Sequence, residues 1–334
     1  MKEIPTAVTM GDPAGIGPEI VAKTFAEPGM QEMNRAVVVG DAAIMKRAVR
    51  LLELPLRINA VSRPQEATFE EGVIDLICAT ELPEDLPFGK LDPRAGGAAF
   101  EYVRRATELA LEGSVRAVAT APLNKEAMHL GGHRYPGHTE ILAELTNTRD
   151  YAMMLVAEDL RVIHVSTHVS LREAIERVRS ERELVVIRLA HQTLRRIGVE
   201  EPRVAVAGLN PHAGENGLFG TEDAAFIAPA VEEARGEGID ASGPWPPDTV
   251  FSRARKGEYD IVVVQYHDQG HVPIKLLGFE SGVNVTVGLP FFRTSVDHGT
   301  AFDIAGTGKA DHTSMRAALE LARELAEAPE YERS

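Results

Sequence analysis

The chain has 334 residues, more than one ordinary hydrophobic core organises, so two α/β lobes are expected. A formal net charge of −15 repels polyanions and argues against a nucleic-acid partner, while 44% hydrophobic and 25% charged residues are those of a folded globular protein. The lone cysteine, Cys78, excludes an intrachain disulfide, no apolar run nears the ~20 residues of a membrane helix, and the first five residues, MKEIP, do not open a secretory leader; a cytoplasmic protein without a membrane partner is expected.

Taken in chain order, the apolar run 7–10 predicts a strand that turns at Gly11-Asp12-Pro13, with a helix starting near Pro18. A second strand over 36–39 ends at Gly40 and leads into an alanine-rich amphipathic stretch. Further strands are predicted over 115–119, 161–165, 204–207 and 261–264, with helices over 95–111, 181–197 and, closing the chain, 316–326. Short apolar strands alternating with helices specify an α/β protein with a largely parallel sheet. No internal repeat, low-complexity segment or linker marks a border, so the chain is expected to cross between lobes. Glycine, proline and polar residues concentrate in five stretches, 11–19, 120–125, 132–140, 208–220 and 265–311, which read as functional loops at strand ends.

Three histidines, His168, His212 and His267, each follow a predicted strand, where separate loops can converge. Three imidazoles with an open position are a catalytic metal pattern, for zinc or another divalent ion. On spacing alone, hydrogen-bonded loop histidines are the better reading. Lys275 and Arg293 lie among apolar residues and glycines, where a cation binds phosphate or carboxylate or else faces solvent. Asn284 and the pair His138-Thr139 add neutral polar groups. The motif GDPAGIGPE at 11–19 matches a dinucleotide fingerprint poorly: its glycines give GxxxGxG, and Pro13 and Pro18 interrupt the turn. It reads instead as a tight turn into a helix, whose N–H groups could still face an anion. Small residues over 297–311 allow a flat ligand close to the backbone, or else a helix between two turns.

In seven stretches the sequence resembles the 4-hydroxythreonine-4-phosphate dehydrogenase family: GDPAGIGPE (11–19), TAPLNK (120–125), PGHTE (136–140), GLNPHAG (208–214), YHDQG (266–270), GVN (282–284) and GLPFFRTSVDHGTAFDIAGTGKAD (288–311). They span the chain in the family's order. The resemblance implies two α/β/α lobes with a central cleft, of the isocitrate and isopropylmalate dehydrogenase type and not Rossmann. It implies a first, cofactor-side lobe of residues 1–125 with 285–334, and a second lobe of 126–284. His168, His212 and His267 would bind a divalent metal (Zn, Mg, Mn or Co). His138, Thr139, Lys275, Asn284 and Arg293 would bind substrate, and His298, Gly299, Thr300 and Ala301 would bind NAD. A homodimer with active sites completed across its interface is implied.

The implied reaction is oxidation and decarboxylation of a four-carbon 4-phosphorylated 3-hydroxy acid, with Asp248 or Lys275 moving the proton. The substrate is either 4-phospho-D-threonate or 4-phospho-D-erythronate, or else 4-phosphohydroxy-L-threonine. The stretches YAMML (151–155), IHVSTHVSLR (163–172) and PPDTVF (246–251) resemble the sugar-acid branch. Rival readings are an aromatic cis-dihydrodiol dehydrogenase of the same family, an acyl- or phosphoryl-transfer enzyme, and a non-catalytic phosphate- or metal-binding module.

Overall fold

Strands form where valine, isoleucine and alanine run without interruption, and they end where glycine, proline or a polar side chain turns the chain. The structure, a computed structural model, describes residues 4–277 and 282–328. The first pass runs β1 (Thr6–Thr9), α1 (Gly17–Phe25), α2 (Met30–Asn34), β2 (Ala36–Gly40), α3 (Ala42–Leu51), β3 (Arg57–Val61), β4 (Val73–Cys78), α4 (Pro93–Leu111), β5 (Ala117–Thr120), α5 (Lys125–Leu130) and α6 (His138–Leu145). There follow β6 (Ala152–Ala157), β7 (Leu160–His164), α7 (Leu171–Arg177), α8 (Ser180–Arg196), β8 (Val204–Ala207), α9 (Ala228–Gly236), β9 (Ala241–Trp245), α10 (Val250–Arg255), β10 (Ile261–Val264), α11 (His267–Leu277) and β11 (Val283–Val287). The chain closes with β12 (Phe292–Ser295) and α12 (Thr313–Glu327).

Two units result: residues up to Arg149 with Leu289–Ala326, and Asp150–Gly288. In the first unit the strand order is β3-β4-β2-β1-β5-β12 and every pair is parallel. The central strands β1, β2 and β5 are buried throughout, as expected of a parallel sheet covered on both faces, and their sequences run apolar instead of alternating. Helix α4 starts at Asp92, whose carboxylate accepts the Arg94 N–H. A Cβ at Gly96 would lie 2.0 Å from the Ala127 carbonyl, so only glycine there lets α5 lie against α4.

In the second unit the order is β11-β6-β7-β10-β8-β9. Strands β7, β10, β8 and β9 are parallel, and β6 runs antiparallel to both β7 and β11. Its core packs Leu155, Val162, Ala205, Val262, Val264 and Ile274. Among the described residues no helix is long and apolar enough to cross a membrane.

The α/β class is as expected, and the six strands and three long helices foreseen from periodicity all form. The chain, however, crosses between units at Arg149/Asp150 and not at 125/126, and returns at Gly288/Leu289 and not at 284/285. Helices α5 and α6 pack on α4, which keeps His138 and Thr139 in the first unit. The stretch 265–311, expected as loop, contains α11, β11 and β12. His267 is the first residue of a helix that carries Pro273 in its interior.

Candidate active site

The histidine-bearing segments leave the ends of β7, β8 and β10, adjacent parallel strands of the second unit. His168 lies past β7, exposed, just before the Ser170 cap of α7. His267 is half-buried, and its Nδ1 lies 2.7 Å from Asp268 Oδ1. A carboxylate holding the Nδ1 proton leaves Nε2 as the lone-pair nitrogen, the pairing usual for a metal-bound imidazole. The ring centroids of His168 and His267 are 5.5 Å apart. Both line a cavity of about 440 Å³ formed by Thr167–Leu171, Ala174 and Tyr266–Asp268. Behind His267, the His271 ring stacks at 3.6 Å and 11°, and its Nδ1 lies 2.9 Å from the His267 carbonyl.

His212 stands on the segment after β8, exposed, with its ring 6.0 Å from Phe219. Residues 212–216 all carry positive φ, from 41° to 82°. Asp223 anchors the root of this segment, accepting the N–H groups of Leu209 and Asn210 and the Asn210 side-chain amide. Among the described residues no three His, Cys, Asp or Glu side chains are gathered closely enough to hold one ion. The structure therefore brings His168 and His267 together and leaves His212 outside. Imidazole nitrogens, such as those of His168 and His267 at neighbouring strand ends, are donors of the kind a divalent ion takes.

Of the other candidates in this unit, Lys275 lies half-buried on α11 and Asn284 on β11, where its Oδ1 is buried without a hydrogen-bond partner. An orphaned carbonyl oxygen of this kind is suited to receive a ligand hydroxyl or amine. Asp248 is exposed on the turn between β9 and α10.

In the first unit Arg293 projects from β12 and is 2% exposed. Its Nε and Nη2 donate to Thr120 Oγ1 at 3.2 and 2.7 Å. Burial pushes the guanidinium down to about 9, opposed by the nearby Glu140 carboxylate, and leaves it charged at neutral pH. His138 opens α6, and its Nε2 is enclosed without a hydrogen-bond partner. Burial, then the charges of Arg293 and Lys125, hold the His138 imidazole well below its usual range, so it is neutral. Thr139 follows, half-buried. A buried guanidinium beside a neutral imidazole can bind an anion without a competing titration. Lys125, in the TAPLNK stretch but not singled out from sequence, belongs to this electrostatic set.

The segment after β12 holds the remaining candidates. His298 and Gly299 are exposed, a Cβ on Gly299 would meet nothing within 4 Å, Thr300 is buried and Ala301 has φ 41°. The segment rests on the N-terminal glycine motif. A Cβ on Gly15 would lie 2.9 Å from Thr300 Cβ, and the Ile16 N–H donates to the Thr300 carbonyl at 3.1 Å. Further on, Glu19 accepts the Gly306 and Gly308 N–H groups, while Lys23 Nζ donates to the carbonyls of Gly308 and Ala310. The N–H groups of Asp12, Ala14, Gly15 and Ile16 all donate within the protein, and the Asp12 carboxyl is buried among them, pushed up to about 6 by that burial. The motif is thus a template for the 298–310 segment, and those four N–H groups are already taken by acceptors of the protein.

Residues 32–322 match the family of the pyridoxal phosphate biosynthetic protein PdxA. The D-threonate 4-phosphate dehydrogenase of Salmonella typhimurium is 54% identical over 98% of this chain and 100% of its own. The 4-hydroxythreonine-4-phosphate dehydrogenase of Beijerinckia indica is 48% identical over 97% and 96%. The crystal structure of 4-hydroxythreonine-4-phosphate dehydrogenase from Klebsiella pneumoniae is 53% identical and superimposes with a TM-score of 0.92 over 97% of this chain and 100% of that one. At 16% identity and a TM-score of 0.50, a β-decarboxylating dehydrogenase from Thermococcus kodakarensis shares the fold, over 96% of this chain and 81% of its own. The chain belongs to the PdxA family and is an oxidoreductase of the dehydrogenase type.

Proposed function

We propose that this dehydrogenase oxidises and decarboxylates 4-phospho-D-threonate, or its 4-phospho-D-erythronate epimer, with NAD as hydride acceptor and a divalent metal. The observation that carries the reading is the desolvated Arg293 guanidinium beside the neutral His138, a fixed cation suited to one anionic end of such a substrate. The choice of acid is supported by the 54% identity over the full length of the D-threonate 4-phosphate dehydrogenase of Salmonella typhimurium.

Arg293, His138 and Thr139 bind and orient the substrate, Lys275 engages its other anionic end, and Asn284 Oδ1 accepts a substrate hydroxyl. His168 and His267, with His212, are the residues that would hold the metal. A bound divalent ion would supply charge stabilisation to the oxygen at the reacting carbon, and NAD, which His298, Gly299, Thr300 and Ala301 would hold, would supply the hydride acceptor. Asp248 or Lys275 takes the proton of the C3 hydroxyl as that carbon is oxidised to the ketone of a 3-keto acid. Cleavage of the C1–C2 bond then releases CO2, and protonation at C2 gives dihydroxyacetone phosphate. A homodimer completing each site is part of this reading.

The test supplies 4-phospho-D-threonate, 4-phospho-D-erythronate and 4-phosphohydroxy-L-threonine in turn with NAD and Mg²⁺, Zn²⁺ or Co²⁺, following NADH absorbance and CO2. Equal amounts of NADH and CO2 from the sugar acids are expected. Turnover of the amino acid alone would overturn the substrate, and NADH with an accumulating keto acid would overturn the decarboxylation.

A further inference from the structure

Helix α3 carries three side chains that grip one loop of the first unit. Its N-cap Asp41 accepts the Leu82 N–H at 2.7 Å and the Thr80 hydroxyl at 3.1 Å. Arg47 donates to the Glu84 carbonyl at 3.0 Å and to the Leu86 carbonyl, and Arg50 pairs with the Glu84 carboxylate. The loop has little apolar anchorage of its own, since Leu86 alone is buried among residues 81–90. Its place therefore depends on these polar contacts. Arg47 reaches further than its neighbours. Its Nη2 donates to the Pro13 carbonyl of the glycine motif at 3.0 Å, and its guanidinium lies over the Phe88 ring, 3.9 Å from the centroid. One planar fork joins the loop to the motif.

Loop and motif together support the stretch that follows β12. The Gly89 N–H donates to the Ala14 carbonyl at 2.8 Å. A Cβ on Gly89, whose φ is 63°, would lie 2.3 Å from the Phe302 carbonyl oxygen, and a Cβ on Gly306 would lie 2.7 Å from the Phe88 ring. Thr300 thus rests on Gly15, Phe302 on Gly89 and Gly306 on Phe88. Burial lowers the Arg47 guanidinium from its ordinary range, opposed by the carboxylate of Glu19, the residue that holds the Gly306 and Gly308 N–H groups. Lysine would give a point charge where arginine gives a fork, and could not lie flat on the ring.

We propose that Arg47 is a positioning residue for the dinucleotide: it locks loop 84–89 and the 11–16 motif into one floor, which keeps the segment bearing His298, Gly299, Thr300 and Ala301 in its binding shape. The proposal rests on the cofactor reading above. It assigns Arg47 no contact with the nicotinamide or the acid; the side chain acts through Pro13, Leu86 and Phe88.

Arg47→Lys keeps the charge and loses the fork, while Arg47→Met removes the charge and every donor at similar length. On each full-length variant NADH affinity is measured by fluorescence titration, KM for NAD and for 4-phospho-D-threonate by steady-state kinetics, and amide hydrogen exchange without ligands. Arg47→Met is expected to bind NADH about 10-fold more weakly and Arg47→Lys to lose less, with KM for NAD rising in step and kcat and KM for the acid held within about 2-fold. Exchange should quicken in 84–89 and 298–306 together. Arg47→Lys, the milder change, carries the test if Arg47→Met does not fold. Tight NADH binding by the wild type with unchanged affinity and exchange in the variants would overturn the positioning role and leave the cofactor reading standing. A wild type that binds no NADH would overturn the cofactor reading, and the proposal with it. An equal rise in both KM values, with faster exchange throughout the first unit, would mean a general loss of packing and would also overturn the role.

Discussion

The two units build on parallel strands but present their chemistry differently. In the first, Arg293 comes from within a strand and Thr120 from the end of its parallel neighbour, so strand pairing holds donor and acceptor in place. In the second, His168 and His212 lie on segments beyond the strand ends and His267 opens a helix, so no ladder fixes their spacing. A cation meant to meet an anion gains from rigidity and desolvation. In the second unit the roots of these segments are joined by side chains instead, Gln265 and Gln269 donating to the Ala207 and Gly208 carbonyls.

The sharpest way to break this contrast is to remove one unit's chemistry and leave the other's intact. His267→Ala is expected to abolish metal binding and lower kcat by about 10³-fold while Arg293 still holds the substrate; bound-metal analysis beside steady-state kinetics checks it, and full activity in a strong chelator would contradict it. Arg293→Lys keeps a positive charge but not the planar fork, so kcat/KM for the phosphorylated acid should fall about 10²-fold with metal content unchanged. A smaller effect is expected from Glu19→Gln, which weakens the hold on Gly306 or Gly308: KM for NAD should rise about 5-fold, with kcat and metal affinity preserved. A rise in the substrate KM instead would show that the 298–310 segment serves the other ligand.

The last effect is on stability. Burial pushes Glu183 up to about 8, against about 4.3 for an unfolded glutamate. The folded state then holds the proton more tightly, so the stability this gives is complete below about pH 4 and is lost as the pH rises through about 8. Glu183→Gln removes that dependence and should gain on the wild type by about 5 °C in Tm between pH 5 and pH 9. Parallel melting profiles would contradict the raised proton affinity of this buried carboxyl.

Much was legible before the structure. Strands such as 36–39 and 204–207 could be read because strands buried on both faces are continuous apolar runs. Helix α4 could be read from its 3.6-residue period. The helix holding Gln269 and Lys275 could not, because Gly270 and Pro273 break the local signal that packing overrides. The unit boundary was misplaced for a similar reason: what keeps α5 and α6 in the first unit is their contact with α4, which leaves no mark in composition.

Residue types and their order in the chain settle the α/β class, the family and the inventory of cations and imidazoles, because these follow from local patterning and from motifs of contiguous residues. Neither Gln265 nor Glu183 carries a motif that would single it out, and the role of Glu19 is equally silent in GDPAGIGPE. Their partners lie tens to hundreds of residues away, and a hydrogen bond forms only where the tertiary fold has already brought donor and acceptor within about 3 Å.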